Sequence, residues 1–211
     1  MIKRAVADGA LDVLHNISRE GTLVLWKRRK TFRYTCACCG DEFTGAPSFA
    51  SLTPPLVNDV PEDEREGRVL FNSDLCRIRA RMNERSEEDI YAIRATLLIP
   101  IHGSDEPFSW GVWVTQSEQD FYRYLETGEE DQSSEVSFGW LPVTMTYYQD
   151  FALDDFSATL ACSVNWGPQG FRPTVTLHKC EHPLYLDQAN GINWDKAVMI
   201  AQECMKAAHK P

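Results

Sequence analysis

The sequence predicts an α+β fold: a mainly antiparallel sheet with a few flanking helices, among them one at each end of the chain. Two observations predict it. Runs of alternating apolar and polar residues, bounded by Gly and Pro, recur through the middle of the chain at strand length. Apolar residues at helical spacing occupy residues 2–17 and the residues that follow Asn193. With 211 residues, 43% of them hydrophobic, the chain is long enough for one sizeable core.

Residues 1–30 are predicted to form an N-terminal extension of one helix and one strand, and residues 31–211 a single α+β domain. Gly21 ends the first helix, and strands follow at 22–26 and 31–35. The four basic residues between these strands favour a solvated turn. The alternative is a nucleic-acid contact through the basic residues of 28–33 and Tyr34.

Later strands are predicted from residue 74, over 90–101, 108–115 and 172–180, and as a long strand or bent hairpin over 148–164. Trp110 and Trp113 fall on opposite faces of their strand. We interpret them as core aromatics that anchor a sheet, with a ligand platform as the alternative. Ser117 is placed to cap a helix through Leu125, and the C-terminal helix begins near Asn193.

Composition excludes several classes of protein. The net charge of −10 disfavours general binding to a nucleic-acid backbone, which depends on Lys and Arg. The first residues do not read as a signal peptide, and no apolar run approaches the roughly 18 residues of a membrane-spanning helix. We therefore predict a cytoplasmic protein. Its seven cysteines favour reduced thiols or metal ligands over a disulfide framework.

Three of the seven cysteines lie within four positions, and Cys36 and Cys39 have the spacing of half a zinc site, followed by Gly40. A zinc ribbon needs a second such pair, which the sequence lacks. A redox pair and thiols without a role remain alternatives. Cys76 is a candidate third ligand or a core residue. His178, Cys180 and His182 fall on one face if the strand continues that far, which is typical of ligands.

Residues 105–155 carry twelve acidic residues and one basic residue, a local charge of −11. This segment predicts either a solvated face or a docking surface for a basic or cationic protein partner. The residues predicted to bind that partner are Glu118, Asp120, Glu126, Glu129, Glu130 and Asp131.

Several short motifs occur in an order that resembles a bacterial family of unknown function, the domain-of-unknown-function family numbered 2199, over about residues 33–205. The motifs are Cys36-x-x-Cys39-Gly40, Asp74-Leu75-Cys76, Ile99-Pro100, Trp110-Gly111-Val112-Trp113-Val114, Gly139-Trp140-Leu141, and His182-Pro183-Leu184 with Gln188 and Gly191-Ile192. The family has no assigned activity. The resemblance singles out Cys36, Cys39, Cys76 and His182, which would complete a tetrahedral zinc site of Cys₃His type.

These observations predict a non-enzymatic, acidic protein-binding module, stabilised by zinc or by its Trp-rich core. By association, small acidic bacterial proteins of this kind serve as immunity or regulatory partners. The alternative is a zinc-dependent hydrolase with Cys36, Cys39 and His182 as metal ligands and Glu181 as base. No nucleophile elbow, phosphate-binding loop, dinucleotide-binding fingerprint or metalloprotease motif occurs in the sequence.

Overall fold

The computed structural model describes residues 31–37, 39–81, 88–127, 130–151 and 159–208. The predicted extension over residues 1–30 lies outside the described residues, and so does Glu129. Within the described ranges the predicted α+β class is confirmed, because four α-helices accompany ten strands.

The described part of the chain starts with a hairpin and a small outer layer, continues through five central strands, and finishes with two helices. The elements are β1 (Arg33–Thr35), β2 (Glu42–Thr44), β3 (Ser48–Ala50), a 3-10 helix (Pro55–Asp59), α1 (Glu62–Arg68), β4 (Val69–Phe71), β5 (Leu75–Ile78), β6 (Ile90–Ile99), β7 (Phe108–Gln116), α2 (Glu118–Thr127), β8 (Val136–Pro142), β9 (Thr159–Asn165), β10 (Thr174–Leu177), α3 (Pro183–Asn190) and α4 (Trp194–Ala208).

The five central strands close into a barrel. β6 to β10 pair in chain order as antiparallel neighbours, and β10 then pairs with β6 in parallel, through Thr174 with Thr96 and Val175 with Leu97. The predicted mainly antiparallel sheet is wrong in this respect. In a meander of five strands the last runs in the same direction as the first, so closing the ring requires one parallel seam.

Alternation along the strands separates an inner from an outer face. The odd-numbered residues of β6, among them Ile93 and Leu97, are buried in the main core together with Val112 of β7 and Val164 of β9. The helices add Phe121, Leu184, Ala197 and Ile200 to this core. The predicted C-terminal helix is confirmed by its bounds and by its buried Ala197, Ala201 and Cys204.

A smaller core lies on the outer face of β6 and β7. Trp113 and Ala92 are buried there against β5 and the 3-10 helix, through Cys76 and Val57. The two tryptophans of β7 therefore serve two different cores, as their opposite faces predict, since Trp110 belongs to the main one.

Two local features support the pairing of the barrel strands, one outside the barrel wall and one within it. The amide of Gln188 donates to Val175 O at 2.7 Å and accepts from Leu177 N at 2.8 Å, which fixes α3 on β10 beside the parallel seam. In the wall itself, a Cβ on Gly139 would lie 2.6 Å from Thr115 O, so only glycine permits this approach of β8 to β7.

Candidate functional site

The predicted thiol site begins directly after β1. Cys36 is buried, Cys39 is exposed, and the Gly40 N–H donates to Cys36 O at 2.9 Å, with Gly40 at a φ of 76°. The tight turn expected from Gly40 is thus confirmed. A backbone hydrogen bond at Asp41 lowers the pKa of Cys39. Desolvation by neighbouring groups, side-chain hydrogen bonds with Cys36 and Asp41 and the Asp41 charge outweigh it and raise that pKa to about 11.

The other two predicted ligands have structural roles. Cys76 is buried in the smaller core, and burial raises the pKa of its thiol to about 11. His182 is buried too, and its Nδ1 accepts the Leu184 N–H at 3.1 Å, which makes it the N-cap of α3. β10 ends at Leu177, so the prediction that His178, Cys180 and His182 share one face of a continuing strand is wrong. Pro183 starts a helix at that point.

Among the described residues, no three His, Cys, Asp or Glu side chains lie close enough together to hold a metal ion. The four predicted zinc ligands Cys36, Cys39, Cys76 and His182 are therefore not brought to one point. Cys36 and Cys39 remain a hydrogen-bonded pair. The physical reason is that the sheet surface carrying Cys76 is filled by apolar side chains of the smaller core.

A groove on the outside of the barrel combines an aromatic side chain with carboxylates. We call it the outer groove; its volume is about 520 Å³. Trp140 of β8 lies across from Thr115 of β7 and leaves 49% of its surface exposed. The groove is lined by Leu56, Glu88, Asp89, Ile90, Tyr91, Thr115, Gln116, Trp140 and Thr159.

The carboxylates around the outer groove differ in how far they are engaged. Asp89 accepts from Ala80 N at 2.9 Å and from Arg77 Nε at 2.7 Å, and these bonds hold its pKa below the ordinary value against the effect of burial. Glu118, at the start of α2, accepts the Tyr91 hydroxyl at 2.9 Å. Burial and this bond to Glu118 raise the pKa of Tyr91, so its phenol stays protonated and keeps donating. Glu88 is exposed at the groove.

The aromatic surface continues from Trp140 along β8. Phe138, two residues earlier on the same face, packs edge-on against Trp140 with ring centroids 5.3 Å apart, and it is also 49% exposed. His178 lies beside Phe138, with ring centroids 5.7 Å apart, and its Nε2 is 3.0 Å from the Ser163 hydroxyl. Outward aromatics at period two in β8 were a missed sequence feature, although alternation in residues 136–140 could have revealed them.

The residues predicted to bind a partner lie in two places. Glu118, Asp120 and Glu126 belong to α2, where Ser117 Oγ accepts from Asp120 N at 3.1 Å and so caps the helix as predicted. Of these three, Glu118 reaches the outer groove through Tyr91. Glu130 and Asp131 are exposed beyond the helix, and hydrogen bonds from Ser133 hold the pKa of Asp131 below its ordinary value.

A second cavity, of about 290 Å³, lies beside β7, between the residues of β7 that pair with β3 and the residue that pairs with β8. Pro142 borders this gap, and because proline has no N–H it cannot extend the β7–β8 ladder. Both Trp110 and Trp113 line the cavity but are at least 95% buried. Their burial therefore favours the interpretation of both tryptophans as core residues.

The fold and surface define an α+β protein with a closed five-stranded mixed barrel and an acidic, aromatic outer groove. The family model described as "Uncharacterized protein conserved in bacteria (DUF2199)" matches residues 35–192, so the chain belongs to that family and the resemblance is confirmed. No curated protein and no solved structure gives a significant match. No helix in the described ranges has the length and apolar character needed to cross a membrane.

Proposed function

We propose that this protein is a non-enzymatic binding module that docks a basic segment of a partner protein in the outer groove. The observation that carries the proposal is the half-exposed Trp140 in the same groove as Glu88 and Asp89. An exposed indole face attracts Lys and Arg side chains through the cation–π interaction, and the exposed Glu88 carboxylate supplies the opposite charge, whereas Asp89 is already paired with Arg77.

The groove also suits a peptide rather than a single ion. Ile90 is 41% exposed and Phe138 extends the apolar strip beyond Trp140, so the stem of a long basic side chain has surface to cover. The net charge of −10 steers a basic partner towards the protein at low salt. Glu118 places the predicted acidic helix at the edge of the same surface.

The alternative prediction, a zinc-dependent hydrolase, has less support. Its ligands Cys36, Cys39 and His182 form no metal cluster within the described part of the chain. A tyrosine, an aspartate and a lysine do meet around the buried Asp187 carboxylate. These residues, Tyr148, Asp187 and Lys196, already satisfy one another by hydrogen bonds. We therefore propose neither zinc nor hydrolysis for this protein.

A calorimetric titration tests the proposal. The probe is a nine-residue peptide of alternating Lys or Arg with Gly, compared with a peptide in which Glu replaces every basic residue. We expect binding of the basic peptide only, weaker at 300 mM than at 50 mM NaCl because salt screens the carboxylates. Trp140→Ala should weaken binding by roughly 5- to 30-fold, the equivalent of about 1–2 kcal/mol. Glu88→Gln should weaken it and flatten its salt dependence.

Phe171→Ala is the matched control, since Phe171 is an exposed aromatic that does not line the outer groove. Its affinity for the basic peptide should equal that of the unaltered protein. Equal affinities for the Trp140→Ala and Phe171→Ala variants, or binding that salt does not change, would sink the proposal. Capture from a bacterial lysate on immobilised protein then identifies the natural partner, with the Trp140→Ala variant as the negative column.

A further inference from the structure

Three neighbouring strands of the barrel wall present an outward face without charged side chains. The face consists of the even-numbered residues of 136–140 in β8, the odd-numbered residues of 161–165 in β9, and the even-numbered residues of 174–178, which end one residue beyond β10. Antiparallel pairing of the three strands aligns these nine residues in rows. All nine are exposed or partly exposed. We call this surface the neutral face.

The lack of charge on the neutral face restricts what can bind there. Charged residues make up 25% of the chain and belong on protein surfaces, yet none of the nine residues is Asp, Glu, Lys or Arg. A basic segment would find no carboxylate on this face, and a nucleic acid would find no cation to neutralise its phosphates. The neutral face therefore suits an uncharged ligand.

Neutral hydrogen-bonding groups lie beside the exposed aromatic ring of this face. Phe138 lies opposite Ser163 of β9, and Ser163 lies opposite Thr176 of β10. The Ser163 hydroxyl is 3.0 Å from His178 Nε2, and Asn165 Nδ2 donates to Thr176 Oγ1 at 2.9 Å. These contacts hold the polar groups in place. A hydroxyl has one donor and two acceptor lone pairs, so each keeps capacity for a ligand.

The neutral face continues into a cavity on the far side of β10. This cavity of about 440 Å³ is lined by Thr174 and Thr176 of the face, and by Leu98 of β6, which is 37% exposed. Gln188 of α3 and Asp105 also line it, and Asp105 is the one charged side chain among the described lining residues. A ligand that crosses the face can therefore enter a recess, which offers more contact than a flat sheet.

The size and charge of the protein argue against a second copy as the occupant. Three strands with three outward residues each span roughly 13 Å along the strands and about 10 Å across them. The area is roughly a few hundred Å², whereas each side of a stable protein–protein interface covers about 800 Å². Two copies would also bring net charges of −10 together. A small, elongated ligand suits these dimensions better.

We propose that the neutral face and the cavity beside β10 bind an uncharged oligosaccharide. A sugar ring has an apolar face of C–H groups and a rim of hydroxyl groups that both donate and accept hydrogen bonds. The half-exposed ring of Phe138 suits the C–H face, and the hydroxyls of Ser163 and Thr176 suit the rim. The site is distinct from the outer groove, whose lining shares only Trp140 with the neutral face.

The test screens the full chain on an array of neutral and acidic glycans, and then titrates it calorimetrically with the neutral oligosaccharide that binds most tightly. We expect binding to neutral glycans, with an affinity that stays the same between about 50 and 300 mM NaCl because there is no ion pair for salt to screen. Binding of the basic peptide to the outer groove should weaken over the same range. The two proposals can therefore succeed or fail separately.

Two substitutions locate the site. Phe138→Ala removes the stacking ring and should weaken oligosaccharide binding by roughly fivefold or more. Thr176→Val keeps the branched shape of the side chain but removes its hydroxyl, and should weaken binding by roughly two- to tenfold. Thr144→Val is the matched control, since Thr144 is an exposed threonine outside the neutral face and its cavity. Thr144→Val and Glu88→Gln should both bind the oligosaccharide as the unaltered protein does.

Absence of binding to every neutral glycan would overturn the proposal, and so would binding that salt weakens. Equal affinities of the Thr176→Val, Thr144→Val and unaltered proteins would also overturn it, and Thr176→Val decides alone if Phe138→Ala does not fold. Sedimentation equilibrium addresses the other occupant. A dimer of the unaltered protein that Phe138→Ala dissociates would mean that a second copy covers the neutral face, and the proposal would then be wrong.

Discussion

Tyr148 donates its phenolic hydrogen to Asp187 Oδ2 across 2.8 Å, joining the segment after β8 to helix α3 inside the protein. Tyr148 is completely buried and Asp187 is 7% exposed. Lys196 of α4 donates to the other oxygen of the same carboxylate at 2.7 Å. Burial, followed by the nearby Asp187 charge, raises the pKa of Tyr148, so the phenol stays protonated and keeps donating at neutral pH.

We expect Tyr148→Phe to lower the free energy of unfolding by about 2 kcal/mol, because it leaves a buried carboxylate oxygen without its donor. Denaturant titration followed by circular dichroism measures the change. Tyr147→Phe is the control, since Tyr147 is only partly buried, and it should cost about 0.5 kcal/mol or less. A Tyr148→Phe variant as stable as this control would show that the Tyr148–Asp187 bond contributes nothing.

Two glycine substitutions should change stability in opposite directions. A Cβ on Gly139 would lie 2.6 Å from Thr115 O, a backbone atom that cannot move without opening the β7–β8 pairing. We expect Gly139→Ala to cost roughly 2 kcal/mol or more, as strain in the barrel wall. Gly67 lies in α1 with nothing within 4 Å of its Cβ position, so Gly67→Ala should stabilise by about 0.5–1 kcal/mol.

The melting temperatures of the two glycine variants check this pair. The Gly67→Ala variant controls for the general effect of alanine on the unfolded chain, which both substitutions share. If the melting temperature of the Gly139→Ala variant equals or exceeds that of the Gly67→Ala variant, then β8 and β7 do not approach as closely as the described contacts require.

Local patterns predicted the elements better than they predicted the closure of the sheet. The C-terminal helix, the Ser117 cap and the two faces of β7 depend on neighbouring residues, and the structure confirms each of them. The parallel pairing of β10 with β6 joins residues about eighty positions apart, and no local periodicity encodes it. Helix α3 was not predicted, because a proline such as Pro183 can either end a strand or begin a helix.

The candidate sites show the same division. Spacing suggested that Cys36 and Cys39 lie close together, and their side chains do share a hydrogen bond. Sequence spacing could not show that Cys76 lies on a sheet face filled by the smaller core. Among the described residues it therefore forms no metal-binding group with the other two cysteines.

His182 should make the stability of the protein depend on pH. Burial lowers its pKa, an effect that the nearby backbone of Phe151 partly offsets. The unfolded chain then binds more protons than the folded chain below about pH 6.5, the ordinary histidine value. The stability contribution is complete above that pH and declines as the pH falls from there to the lowered folded-state pKa. Protonation also removes the Nδ1 acceptor that caps Leu184 N.

We expect His182→Asn to keep the cap, because an asparagine side-chain oxygen accepts the same N–H, and to lose this part of the pH dependence. Denaturant titrations of both proteins between pH 5 and 8 measure it. The unaltered protein should weaken more than the variant as the pH falls below about 6.5. Parallel pH profiles for the two proteins would mean that His182 does not titrate differently in the folded and unfolded states.

The thiol of Cys39 should react slowly for an exposed cysteine. Its pKa of about 11 leaves few thiolates near pH 8.5, where an ordinary cysteine is about half ionised. Alkylation by iodoacetamide, followed by peptide mass spectrometry, should therefore label Cys39 roughly a hundredfold more slowly than a free cysteine. Asp41→Asn should speed the reaction, because it removes the carboxylate charge that raises this pKa.

The same labelling experiment tests the zinc prediction. Buried Cys76 and Cys162 should stay unlabelled until the protein unfolds, and a chelator should change neither the rate at Cys39 nor the melting temperature. A zinc ion on Cys36 and Cys39 would give the opposite result. Chelation would expose both thiolates together and accelerate their labelling, and elemental analysis would find close to one zinc per chain. That outcome would mean that the ion is completed by groups beyond the described residues, or by a second chain, and would restore a metal to this turn.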